Sequence, residues 1–204
     1  MNRCVTNLAF AVLLTCGLGA QTAKQATVPK VTAPELGELS GGVYRNTSFG
    51  FSYKLAYGWV DRTAEMREAS TDPAKSMVLL GVFERPPEAT GEGVNSSVVI
   101  AAESAASYPG LKDAAQYFGP LSEVTTANGL TPTGEPYEFP VDAKPIVRRD
   151  FVKKVGAGEM HQSTLAWLAR GYVVSFTFIG SSDDEVLELL DGLAFGKKPA
   201  TGHK

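Results

Sequence analysis

Both cysteines of this 204-residue chain, Cys4 and Cys16, fall within its first sixteen residues. Everything downstream must therefore hold together by packing and hydrogen bonding alone. The opening MNRCVTNLAFAVLLTCGLGA reads as an export signal: Arg3 precedes an apolar run from Leu8 to Leu14, and the small residues Gly17, Gly19 and Ala20 follow where a signal peptidase cuts. The run is too short to span a bilayer. Cleavage after Gly19 or Ala20 would remove both cysteines. A competing reading makes Leu13-Leu14-Thr15-Cys16 a lipobox, with Cys16 acylated and the membrane reached only through that lipid anchor. Both readings expect an exported protein, periplasmic or secreted.

Loss of residues 1–20 leaves 18 basic against 22 acidic side chains, which argues against nucleic acid as a partner. About 184 residues remain, enough for one domain with a real core and no metal or disulfide staple. Asn46-Thr47-Ser48 and Asn95-Ser96-Ser97 are sequons, relevant only in a eukaryotic secretory pathway.

Residues 21–42 are rich in Thr, Ala, Pro and Gly and poor in large apolar side chains, so they are expected to form a flexible tether. A single α+β domain is expected over 43–196, followed by a disordered tail over 197–204. From Phe49 to Tyr57 aromatic and aliphatic residues alternate with small or polar ones, the pattern of a half-buried strand. Gly58 allows a turn, Trp59 is a core anchor, and Asp61 is placed to cap a short helix through Glu68. Met77–Phe83 and Val98–Ala102 are continuous apolar runs, as for strands covered on both faces, with helices expected on each side. Glu84–Ser97 between them reads as a long exposed loop.

After Pro109-Gly110, the spacing of Leu111, Ala114, Ala115 and Phe118 predicts a helix that Pro120 ends or kinks. Residues 127–145 hold four prolines and are expected to form a hairpin with a proline-studded turn. Three strands follow, Ile146–Val155, Met160–Ala169 and Tyr172–Ile179; their short glycine turns imply antiparallel neighbours. A last helix carries a stripe of Val186, Leu189, Leu190 and Leu193 behind the capping box Ser182-Asp183-Asp184-Glu185. The helix dipole accounts for Asp183 and Asp184 without a metal.

FGFSYKLAYGWVDRT and GYVVSFTFIGSSDDEVLELLDGLAF resemble the first strand-turn and the last strand-helix of PsbP-like proteins, a superfamily shared with the Mog family of Ran-binding proteins. Ala56 stands where that pattern has proline. The resemblance implies an α/β/α sandwich around a mainly antiparallel sheet. It transfers no photosystem, manganese, calcium or Ran binding, because no site residue of those proteins is identifiable here.

Candidate chemistry is sparse. His161 is the one histidine outside the tail, and on a strand it shares a face with Ser163 but lacks a third orienting group, so a surface histidine is favoured over a hydrolase centre. With no paired histidines and no cysteine after Cys16, no transition-metal site is expected, and no cofactor. Arg148, Arg149, Lys153 and Lys154 form the densest charge cluster. Alternation places Arg148 with Asp150 on one face and Arg149 with Lys153 on the other, so a solvated edge strand is favoured over an anion-binding site. The aromatic rows Phe49–Tyr57 and Tyr172, Phe176 and Phe178 are read as core rather than ligand cavity. The expected function is an exported, non-enzymatic module that binds another extracytoplasmic protein. The alternatives are a small-ligand or lipid carrier with a pocket between sheet and helix, lidded by 84–97, and a hydrolase centred on His161.

Overall fold

The computed structural model describes residues 34–70, 75–86 and 93–196. The expected leader with its cleavage sites, Cys16 and the expected tail lie outside the described residues. Antiparallel pairing begins earlier than Val43. Strand β1 (Glu38–Ser40) pairs with β2 (Val43–Asn46), and Glu35 is tied to the 46–48 turn through Ser48 and Thr47. Residues 34–42 therefore belong to the folded body and not to the expected tether, whose residues 21–33 lie outside the described ones. Leu39, which packs against the core, supplies the apolar contact that the Thr/Pro-rich composition concealed.

The protein is α+β and mainly antiparallel. A small sheet has the order β1-β2-β3-β12, with β3 at Phe51–Lys54 and β12 at Leu193–Phe195. The larger sheet runs β4-β5-β6-β11-β10-β9-β7 through Val60–Asp61, Ser76–Phe83, Ser97–Ser104, Tyr172–Gly180, Gly158–Ala169, Val147–Val155 and Thr131–Pro132; β8 (Tyr137–Glu138) also pairs with β9. Its three longest strands follow one another through tight glycine turns, so sequence neighbours are sheet neighbours.

One face of the large sheet is covered mainly by the small sheet, not by helices alone. Phe51 meets Phe176 edge-on with centroids 5.0 Å apart, and Tyr53 meets Phe178 at 6.1 Å. Val186, Leu189 and Leu190 of helix α3 (Asp183–Leu190) join the same core. Two-residue alternation sends Val174, Phe176 and Phe178 to this face and Val173 and Ser175 to the other. There Tyr117 and Phe118 of helix α2 (Ala114–Ala127) pack against Ala166 and Val173. Pro120 lies inside α2 and does not end it. Asp113 caps the helix start, its carboxylate accepting from Gln116 N at 3.0 Å. In the last turns Asn128 N closes on the carbonyls of Val124 and Thr125.

Two further expectations need correction, and a third holds in part. The first aromatic strand is shorter than Phe49–Tyr57: Phe49 sits in a turn with Gly50 at φ 72°, while Tyr57 is fully exposed. The hairpin expected over 127–145 is present in its second half: β8 pairs with the start of β9, Phe139 N donates to Ile146 O, and Val141 bridges Lys144 around a turn at Asp142-Ala143 (φ 46° and 61°) between Pro140 and Pro145, while β7 pairs separately with β9 further along. Leu193 belongs to β12 and not to the α3 stripe, because Gly192 turns the chain back against β3.

Helix α1 (Thr63–Glu68) begins where expected. The Asp61 carboxylate accepts from Thr63 N at 2.9 Å. A bulge in β5 between Val78 and Leu80 leaves carbonyls off the ladder, and Arg67 of α1 donates to Val78 O and Leu79 O at 2.7 and 2.8 Å.

Candidate functional site

The four-residue basic cluster is dispersed, as strand alternation requires. Arg149 points to the α2 side, where it donates to the Ser122 hydroxyl at 2.8 Å and to Gly134 O at 3.1 Å. Lys153 on the same side donates to Asn128 O at the C-terminal end of α2, where a cation suits the helix dipole. Lys154 is exposed. Arg148 turns the other way and is 7% exposed, so it is no solvated edge residue; β9 is paired on both sides and Arg148 packs under the rings of Phe139 and Tyr137 at 5.0 and 5.9 Å.

Asp150 organises that side. Its Oδ1 accepts from Arg148 Nε at 2.7 Å and from the Ser163 hydroxyl, and its Oδ2 accepts from the Tyr137 hydroxyl at 2.8 Å. Burial, followed by the hydrogen bond and negative charge of Asp150, pushes the Tyr137 phenol up to about 12. The network is closed on itself: a carboxylate with three donors neutralises the buried guanidinium.

His161 lies on the same face, two residues along β10. Its Nδ1 is 2.8 Å from Asp183 Oδ1 at the start of α3, and its Nε2 is 3.9 Å from Glu159 Oε2. Asp183 thus has a partner besides the helix dipole. The Ser163 hydroxyl goes to Asp150, so the structure does not join His161 and Ser163 into a nucleophile-base pair. Among the described residues no group of three or more His, Cys, Asp or Glu is placed to hold a metal ion, and no helix is long and apolar enough to cross a membrane.

A second region was not legible as a site. The β1–β2 turn carries Gly41 and Gly42 at φ 58° and 71°, a tight two-residue turn that only glycines adopt without strain. Facing it is the loop from Leu55 to Trp59, anchored by Leu55 N donating to Gly42 O at 2.9 Å. Between them lies a groove of about 610 Å³, within the size of ligand and peptide sites, lined by Leu39, Lys54, Leu55, Tyr57, Trp59 and the glycine turn. Tyr57 is 106% exposed and Trp59 is half-buried against the core. Asp61 also borders the groove, but its Oδ1 is engaged by the Thr63 amide and hydroxyl. The sequence signal was an aromatic between two small residues, Ala56-Tyr57-Gly58, which alternation had absorbed into a strand.

No protein-family model and no curated protein matches this chain.

Proposed function

We propose that this protein is an exported, non-enzymatic binding module, periplasmic or secreted, built on a PsbP-like or Mog-like α/β/α arrangement, and that it binds another extracytoplasmic protein through the groove beside Tyr57. The placement of α2 on one face of the large sheet and α3 on the other supports the arrangement. The observation that carries the binding reading is the wholly exposed Tyr57 ring beside Trp59, over a floor of glycine turns. The Tyr57 ring lies outside the buried core and is free to meet a partner, and Tyr and Trp are enriched where protein interfaces bury their side chains.

A carrier of small ligands is the second reading, favoured by the groove's volume. Its openness to solvent favours the protein partner, since small-molecule sites enclose most of their ligand. Co-purification with wild-type and Tyr57→Ala protein tests the proposal: a partner retained by the wild type and lost from the variant supports it. Identical recovery with both proteins contradicts it.

A further inference from the structure

Among the described residues, Asp142 and Ala143 are adjacent non-glycine residues that both hold a positive φ, 46° and 61°. The bridge between Val141 and Lys144, with Lys144 N donating to Val141 O at 2.9 Å, makes them a two-residue turn of the kind that Asn-Gly or Asp-Gly forms without strain. Ala143 stands where glycine would relax it, and such strain persists only where surrounding contacts over-determine the conformation. Two contacts do so. Asp142 Oδ2 accepts from Phe195 N at 2.9 Å, and Lys144 Nζ lies 5.3 Å over the Trp167 ring, which itself meets the Phe195 ring edge-on at 5.2 Å.

Register gives the first contact its meaning. Lys54 N donates to Gly192 O and Gly196 N to Gly50 O, so the backbone groups of Gly192, Ala194 and Gly196 face β3 and those of Leu193 and Phe195 face outward. β12 is the last strand of the small sheet, and Asp142 occupies the outward amide of its Phe195. Other edges are blunted differently. In the large sheet β4, β7 and β8 are each two residues long, and Arg67 of α1 covers the carbonyls at the β5 bulge. At the far edge of the small sheet, Leu39 of β1 shares a narrow cavity of about 160 Å³ with Thr63, Ala64 and Arg67 of α1.

We propose that the 141–144 turn is a clasp that keeps the outer edge of β12 from pairing with the same edge of a second copy of this chain. An open strand edge is self-complementary about a two-fold axis. Leu193 and Phe195 of one copy would meet Phe195 and Leu193 of the other, antiparallel, doubling the four-stranded small sheet. The Asp142 carboxylate removes the Phe195 donor and sets a negative charge in the path of the incoming strand.

Sedimentation velocity of the full chain from micromolar to submillimolar concentration, with hydrogen exchange read at the Phe195 amide, tests this. The wild type should stay monomeric, with exchange at Phe195 independent of concentration. Asp142→Gly keeps the turn and removes the carboxylate; it should dimerise as concentration rises, and its Phe195 amide should gain protection in step. Asp142→Asn restores an acceptor and should return the protein to monomer. A folded Asp142→Gly protein that stays monomeric overturns the proposal, as does a wild type that dimerises with concentration-dependent protection at Phe195. Association of Asp142→Gly without added protection at Phe195, or equal association of Asp142→Asn, overturns it as well. Should Asp142→Gly not fold, Asp142→Ser, whose shorter side chain cannot span to Phe195 N, takes its place under the same criteria.

Discussion

Asp150 accepts a hydrogen bond from Arg148 Nε at 2.7 Å on the face of β9 that packs into the main core, with the two side chains only 24% and 9% exposed. A pair this enclosed is costly to break, because the surviving charge is left buried without its partner. Asp150→Leu should destabilise the protein by about 3 kcal/mol in urea unfolding. Replacing both residues, as in Arg148→Met with Asp150→Leu, should cost less than the single change. A double variant weaker than the single would contradict the account of the pair.

Five hydrogen-bonded or buried tyrosines give the protein an alkaline limit. Burial raises the phenols of Tyr44, Tyr53, Tyr108 and Tyr117 above their ordinary value of about 10, and Tyr137 rises to about 12. A phenol whose folded-state pKa is raised stabilises the fold below its unfolded pKa and loses that contribution as pH climbs through the folded one. Stability should therefore decline from about pH 10 upward. Ultraviolet titration at the tyrosinate band should show these residues ionising together with unfolding. Asp150→Asn should lower the Tyr137 midpoint.

The start of α3 makes the opposite prediction at acid pH. Ser182 caps the helix by accepting from Glu185 N at 3.2 Å. Glu185 in turn accepts from Ser181 N at 2.7 Å and from the Ser181 and Ser96 hydroxyls. Burial alone would raise the Glu185 carboxyl, but these bonds outweigh it and hold the group below its usual range. Its contribution is present above the ordinary carboxylate pKa and disappears as pH falls through the lowered one. Glu185→Gln should thus flatten the acid limb of a stability-pH profile, and Ser182→Ala should cost about 1 kcal/mol at neutral pH.

Gly192 is required by close approach. A methyl group there would lie 2.7 Å from Lys54 O and 2.8 Å from the Tyr53 ring, at the point where α3 hands over to β12. Gly192→Ala should destabilise the fold by about 2 kcal/mol, read from the shift in thermal midpoint.

The sequon at Asn46 is structural. Asn46 is 1% exposed; its amide donates to Glu35 O and to the Tyr44 hydroxyl, and its carbonyl accepts from Phe49 N at 2.9 Å. Folded protein made in a eukaryotic secretory host should carry no glycan on Asn46. Peptide mapping of that fraction should find position 46 unmodified.

The elements that the sequence disclosed were those whose signal is local. Val186, Leu189 and Leu190 with the Ser182 cap specify α3 by periodicity and hydrogen-bonding chemistry, and the short glycine turns specify β9 to β11. Arg148 and Arg149 were assigned to opposite faces by alternation alone, and the structure places them so. What stayed hidden depends on contacts distant in sequence. The burial of Arg148 needs Tyr137 and Phe139 folded over it, and the pairing of β7 with β9 cannot be read from a proline-rich stretch. Tyr57 fits the alternation of β3 perfectly well; only the turn formed by Ala56-Tyr57-Gly58 sends it outward, and that outward turn creates the groove.

Site-specific photo-crosslinking in cells that make the protein, with a benzophenone side chain at position 57 and a control at the exposed Val124 of α2, addresses the proposed binding surface directly. The account predicts a discrete crosslinked protein from position 57 and none from position 124. Crosslinks from 124 alone, or the same products from both positions, would contradict it.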